Sequence, residues 1–292
     1  MRPLTHSNMS VFKNCHRMYY FKVTQGLARK TRRTALSDGS AIHKGIETGS
    51  VTEALAELDD IYPANQSDAE ALANRRAFIE AAVTGYLKRF PDPPVAKHEI
   101  QFDLPIINPA TKAVSKTFRL AGKIDGLEQR NGKWWLVEIK TSGKLDRAYI
   151  ERLPLDTQVT TYVYALTRMG YDIAGVVYRV IRKPTIQQRQ KETAQEYRQR
   201  LIQDYQERQD FYFYEEPLYR SKADLDEFEA ELWAITQDVL SAERLGWWYK
   251  NTSRCAEYGG CDFLPLCRGQ AGAEILFETV GPNPELKEDD NG

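Results

Sequence analysis

Asn131-Gly132 lies between two strand-like runs, Arg119 to Arg130 and Lys133 to Ile139. A two-residue loop of this type is the strongest short-range hairpin signal that a sequence carries. The register it imposes sets Asp125 opposite Glu138. Directly opposed side chains share one face of the sheet, with Cβ atoms about 4.5–5.5 Å apart. Lys140 lies two residues beyond Glu138 and points the same way. Two carboxylates and an ammonium on one face make a divalent-cation site with an attached cation, a common solution for phosphodiester hydrolysis. Taken alone, the same three residues also describe an exposed cross-strand charge cluster.

Around this hairpin the chain alternates between helix and strand patterns. Ser7 to Phe21 reads as a short helix, and the Ala-rich stretch Asp68 to Phe90 as a long one stopped by Pro91-Asp92-Pro93-Pro94. Strands are expected over His98 to Leu104, Phe118 to Gln129, Trp134 to Ile139 and Gly175 to Ile181. Thr157 to Arg168 and Lys222 to Leu240 read as helices, and the polar stretch Thr185 to Asp210 as an exposed helix or insertion. This order predicts an α/β protein with a mixed central sheet flanked by helices.

With 42% hydrophobic and 28% charged residues, the composition is that of a soluble globular protein. No apolar run approaches transmembrane length and no signal-peptide core opens the chain, so a cytoplasmic location without membrane attachment is expected. A net charge of −1 argues against general attraction to nucleic acid. Residues 1–37, however, hold eight Lys/Arg and no Asp or Glu, among them Lys13, Arg17, Lys22, Arg29, Lys30, Arg32 and Arg33. Such a segment is either a local phosphate-binding footprint or a solvated basic face. The acidic end, with Glu285, Glu288, Asp289 and Asp290, reads as a solubilising tail.

Gly122-Lys123-Ile124-Asp125-Gly126 followed by Glu138-Ile139-Lys140 resembles the PD-(D/E)xK nuclease superfamily, and specifically its RecB-like and Cas4-like exonuclease branch. Ile124 stands where the nominal motif has Pro. The resemblance implies a restriction-endonuclease-like nuclease core with helical decoration. It assigns Asp125 and Glu138 to Mg²⁺ or Mn²⁺, the Ile139 carbonyl as a further ligand, and Lys140 as the catalytic lysine. His43, in Asp38-Gly39-Ser40-Ala41-Ile42-His43, matches the upstream helix histidine that ligates metal in this branch. Gln158 and Tyr162 share a helix face at i,i+4 and match its Q-x-x-x-Y element, which contacts DNA. Tyr162 also belongs, with Val159, Val163 and Leu166, to an apolar stripe that packs the helix.

Cys15 stands alone, while Cys255, Cys261 and Cys267 recur at equal intervals near the other end. Four cysteines in a cytoplasmic protein point to a metal site before disulfides. Their order resembles the iron-sulfur nucleases of the same branch, which implies a 4Fe-4S cluster stapling the two chain ends; structural Zn²⁺ is the alternative that four thiolates also fit. The expected organisation is one decorated nuclease domain over residues 1–270, its segments 1–30 and 246–270 joined by the cysteine site, and a C-terminal tail over 271–292. That staple would set Arg17 and Lys22 beside the cleft as DNA contacts.

The resemblance implies a metal-dependent DNA exonuclease acting on single strands or duplex ends in recombination or repair. No Gly-x-x-x-x-Gly-Lys-Ser/Thr loop occurs, so any ATP-driven unwinding falls to a helicase or recombination-protein partner. Three other readings stand beside it: an endonuclease, a catalytically inactive nuclease-like DNA-binding subunit, and a zinc-stabilised interaction protein.

Overall fold

The computed structural model describes residues 1–30, 34–91, 97–257, 260–283 and 286. Arg32 and Arg33, the Asp92-Pro93-Pro94 stop and the acidic residues Glu285, Glu288, Asp289 and Asp290 lie outside them. The strands are β1 (Arg2–Leu4), β2 (Leu27–Arg29), β3 (Lys97–Ile107), β4 (Val114–Arg130), β5 (Lys133–Ser142), β6 (Ile173–Arg182), β7 (Phe213–Leu218) and β8 (Phe277–Thr279). The helices are α1 (His6–Asn14), α2 (His16–Tyr19), α3 (Thr34–Thr48), α4 (Val51–Ala56), α5 (Gln66–Arg89), α6 (Arg147–Arg152), α7 (Thr157–Arg168), α8 (Ala194–Glu207), α9 (Gln209–Tyr212), α10 (Lys222–Leu245) and α11 (Leu264–Cys267).

Six strands form a mixed sheet in the order β1-β4-β5-β6-β7, with β3 also on β4, while β2 and β8 pair separately. The β4–β5 hairpin has the expected register, from Arg130 opposite Lys133 to Gly126 opposite Val137. Asn131 and Gly132 turn it at φ 52° and 77°, the left-handed conformations that a tight two-residue turn demands. Parallel pairing then sets Glu138 beside Tyr178 and Lys140 beside Val180 on β6. The sheet is buried on both faces. Leu136, Tyr178 and Val180 belong to a cluster that includes residues of α1, α7 and α10. Val137, Ile139 and Ile181 join a second one formed with α3, α5 and α8.

One detail of the strand order creates an opening. β3 runs antiparallel along one edge of β4, from Leu127 to Val114. β5 therefore takes the opposite edge at Gly126–Arg130, and β1 takes that same edge at Phe118–Leu120. Between them, over residues 121–125, no ladder pair forms on this edge among the described residues. Backbone groups left unpaired at such a place need other partners, and the chain enters α1 directly from the end of β1.

Several elements depart from the sequence reading. The expected helix over Ser7 to Phe21 is broken at Cys15, whose backbone is extended at φ −165° and ψ 115°. The break lets Asn14 to Arg17 meet the segment after α10: Arg17 N donates to Tyr249 O at 3.0 Å and Asn251 Nδ2 to Asn14 O at 2.9 Å. The polar stretch Thr185 to Asp210 is not simply exposed. Tyr197, Leu201 and Tyr205 recur every fourth residue of α8, a stripe narrow enough to hide in a polar segment, and all three are buried in the second cluster. α10 runs to Leu245 rather than Leu240, where Gly246 caps it at φ 67°. The segment 271–292 is not a tail throughout, because Ala273, Phe277 and Asn283 are buried. β8 pairs with β2, and Asn8 Nδ2 donates to Asn283 Oδ1 at 2.6 Å.

Gly122 sits opposite Phe102 in the β3–β4 ladder, and a Cβ there would meet the Phe102 ring at 2.6 Å. That ring packs edge-on against Tyr162, centroids 6.1 Å apart. Gly122→Ala should therefore lower unfolding stability by about 1–3 kcal/mol through overpacking. Urea denaturation of the two proteins measures the difference.

Candidate active site

Asp125 lies at the end of the unpaired stretch of β4. Its Oδ2 accepts from Ile139 N at 3.5 Å, so the carboxylate engages a backbone amide beyond the last paired rung of the hairpin. α3 brings His43 to the same atom, with Nδ1 3.6 Å from Asp125 Oδ2. Glu138 is fully buried in mid-sheet. Lys140 Nζ and Glu138 Oε1 form a close ion pair, and the Glu138 carboxylate has no other polar partner among the described residues.

Lys140 Nζ also donates to Gln158 Oε1 at 2.9 Å, and Gln158 Nε2 donates to Tyr162 Oη at 3.0 Å. The i,i+4 pair is thus an amide-phenol relay whose far end fixes the lysine. α7 owes its entry to Asp156, whose side chain accepts from Gln158 N at 2.8 Å and Val159 N at 3.2 Å. Asp156 also accepts from Tyr178 Oη at 3.3 Å. It is a residue missed by the sequence reading, although an Asp directly before a helix pattern is an N-cap signal. His6 was likewise overlooked. It reaches Thr157 Oγ1 at 3.1 Å, and burial holds its imidazole down to about 4, so it is neutral at ordinary pH.

Electrostatics set the site apart from an exposed charge cluster. Burial raises the Asp125 carboxyl above its usual range, opposed by Lys140. The Glu138 carboxyl is pushed up to about 7 by burial, against the pull of Lys140 and with added repulsion from Asp125. Burial works against the Lys140 ammonium, yet the charge of Glu138 prevails and lifts it above the ordinary lysine value. Burial lowers His43, favouring the neutral imidazole that can ligate.

No three His, Cys, Asp or Glu side chains are grouped closely enough among the described residues to hold a metal ion. His43 and Asp125 are adjacent, whereas the full set of His43, Asp125 and Glu138 is not drawn together. By type, two carboxylates and a neutral imidazole are donors that suit a divalent cation.

The four thiols are all free and half-buried. Cys15 Sγ accepts from Asn251 N at 3.4 Å, Cys255 Sγ lies 4.0 Å from Asn251 O, and Cys261 N donates to Cys255 O at 2.9 Å. Burial raises the Cys261 thiol, with contributions from Cys255 and Cys15. The junction of the chain ends rests on visible contacts: the His16 ring stacks between Phe12 at 3.9 Å and Tyr249 at 3.8 Å, and Phe21 stacks on Phe263 at 5.8 Å.

A cavity of about 510 Å³ opens beside Lys140 and Gln158, bounded by His6 and Ser10 of α1 and by Tyr149 and Arg152 of α6. Arg17 and Lys22 are not among its lining residues. Arg17 lies in the aromatic junction, with its guanidinium carbon 5.9 Å from the centre of the Tyr20 ring, and Lys22 is exposed on the π-helical turn Tyr20–Thr24. Basic residues were legible in the sequence; which of them face the cleft was not.

The fold is an α/β protein with a mixed sheet flanked by helices, in which Asp125, Glu138 and Lys140 lie near a break in one strand edge. The chain matches the family model of the PD-(D/E)XK nuclease superfamily over residues 3–268 and belongs to that superfamily. Membership implies a metal-dependent nuclease. Among solved structures, a Eubacterium rectale protein described as a "putative exonuclease" matches at a TM-score of 0.51 and 11% identity, covering 92% of this chain and 88% of that one. At that identity the likeness shows the fold alone. The structure of SSO0001 aligns at a TM-score of 0.29 and 14% identity over 69% of this chain and 73% of that one, and carries no argument. No curated protein sequence matches the chain. No helix among the described residues is long and apolar enough to cross a membrane.

The raised Glu138 carboxyl has a consequence for stability in metal-free protein. Between the ordinary value of 4.5 and about 7, the folded state holds a proton that the unfolded chain releases. Stability should therefore fall as pH rises through that window and level off above it. In Glu138→Gln the fall should shrink, and the variant should be more stable than the parent at pH 8. Thermal denaturation from pH 4.5 to 8 with a chelator present measures both.

Proposed function

We propose that the protein is a divalent-metal-dependent DNA exonuclease, acting on single strands or duplex ends in recombination, repair or related processing, with Asp125, Glu138 and Lys140 as its catalytic residues. The observation that carries the reading is Glu138, a carboxylate wholly buried in the sheet whose one polar partner among the described residues is the Lys140 ammonium. A buried carboxylate is costly unless positive charge and hydrogen bonds compensate it. One ammonium supplies part of that compensation, and a bound divalent cation would supply the rest.

Asp125, Glu138, His43 and the Ile139 carbonyl would hold the ion, and oxygen-rich donors of this kind suit Mg²⁺ or Mn²⁺. A bound ion lowers the pKa of its water and offsets charge on the phosphoryl oxygens. Lys140, held by Gln158, stabilises the negative charge on the phosphoryl oxygens in the transition state. Tyr162 fixes the Gln158 amide and offers its phenol to the sugar-phosphate backbone. With no ATP-binding loop in the sequence, a helicase or recombination protein would supply any unwinding. Free thiols fit a reducing cytoplasm.

Cleavage of linear DNA should require added Mg²⁺ or Mn²⁺. Asp125→Ala, Glu138→Gln and Lys140→Ala should each lose roughly two to three orders of magnitude in rate, with circular dichroism unchanged. Covalently closed circular DNA should resist. Cleavage of circles at the linear rate would establish an endonuclease, and binding without cleavage would establish an inactive DNA-binding subunit.

The same reading takes Cys15, Cys255, Cys261 and Cys267 as ligands of a structural 4Fe-4S centre within one decorated domain. Its support is the order of the cysteines in the sequence and the contacts of Cys15 and Cys255 with Asn251, although no three cysteines are grouped to hold a metal among the described residues. Anaerobically purified protein should contain iron and inorganic sulfide, and Cys261→Ser should release both and lower stability, because ligation couples to folding. Zinc in equimolar amount without sulfide would identify the alternative metal.

A further inference from the structure

The cavity beside Lys140 has walls of three chemical kinds. Lys140 and Gln158 form the side shared with the candidate active site. Tyr149 forms another, together with Tyr178, whose hydroxyl donates to Asp156 at 3.3 Å. An aromatic ring with two side-chain torsions offers stacking surface at low cost in side-chain entropy. Arg152 stands at the end of α6, exposed, its guanidinium carbon 5.9 Å from the centre of the Tyr149 ring. Its neighbour Arg147 is paired with Glu151, whereas Arg152 has no carboxylate partner among the described residues. Leu155 is 78% exposed at the rim, an apolar side chain that packing inside the protein does not explain.

A guanidinium without a carboxylate partner among the described residues, an aromatic ring and an exposed aliphatic side chain complement a phosphate and a nucleobase. The volume of about 510 Å³ falls in the range of sites that take one small ligand, on the order of 300–1,000 Å³. We propose that this cavity is the subsite for the single terminal nucleotide of the strand being cut, with its phosphate on Arg152 and its base between Tyr149 and Leu155. The inference rests on the nuclease reading of the adjoining site and adds how that site selects an end. Lys140 is common to both, so a nucleotide seated here brings the next phosphodiester to the carboxylates.

The test is binding of thymidine 5′-monophosphate to the full chain, followed by calorimetry in parent, Arg152→Ala and Leu155→Ser, and competition with end-directed cleavage of a labelled oligonucleotide. Both substituted side chains are exposed, so folding is not at stake. Arg152→Ala should weaken binding about tenfold or more, the effect of losing a charge-assisted hydrogen bond, and Leu155→Ser about fivefold. The nucleotide should inhibit cleavage competitively. Equal binding by all three proteins would overturn the subsite, as would equal displacement by inorganic phosphate, which would leave a mere anion site. Binding without competition would mark a site for free nucleotide and overturn it too. Glu138→Gln separates the two readings: it should abolish cleavage while retaining nucleotide binding. Side-chain-dependent binding in a protein that never cleaves DNA would fail the nuclease reading and leave a nucleotide site.

Discussion

The structure turns on the edge of β4 that two strands share incompletely. β1 and β5 occupy the same side of β4 at different heights, and the stretch between them frees Asp125 to turn its carboxylate toward Ile139 N. Complete pairing would have continued the hairpin and covered this place with backbone. The opening admits α3 with His43 from one side and α1 with His6 from another. A sheet otherwise buried on both faces thereby acquires a polar cleft without losing its core.

Burial is what gives that cleft its chemistry. Glu138 and Lys140 alternate along β5 with Val137 and Ile139, so one face carries charge while the other packs against α3, α5 and α8. Removal from water raises both carboxyls and leaves Glu138 with Lys140 as its one polar partner among the described residues. The same surroundings strengthen every remaining electrostatic contact. The Lys140–Gln158–Tyr162 relay is therefore rigid, and its orientation is inherited from the Asp156 cap of α7 rather than from the hairpin.

A second buried ionic group lies on the opposite face of the same sheet, where Arg179 is paired in register with Ile139. Arg179 on β6 donates to Glu215 at 2.8 Å, to Tyr86 at 3.0 Å and to Glu128 at 3.1 Å. Glu128 is thereby held by two arginines and ties β4 to β6, whereas Glu138 has the single ammonium of Lys140 as its charged partner among the described residues.

Local patterns carried much of the site. Asn131-Gly132 determined the hairpin register, and the spacing of Gln158 and Tyr162 determined that they share a face of α7. Alternation along β5 kept Glu138 and Lys140 together. These outcomes depend on turn geometry and on periods of two and 3.6 residues, which operate between close neighbours. Contacts between distant segments were decided only by the tertiary structure. The pairing of Leu4 with Leu120 leaves the gap at Asp125 and carries His6 to the cleft. The meeting of Cys15 with Asn251 draws Arg17 into an aromatic junction, and burial of three residues of α8 turns a polar stretch into core. Each of these joins residues far apart in the chain, where neither propensity nor spacing limits the partner, and only the competition for shared strand edges and apolar surface selects it.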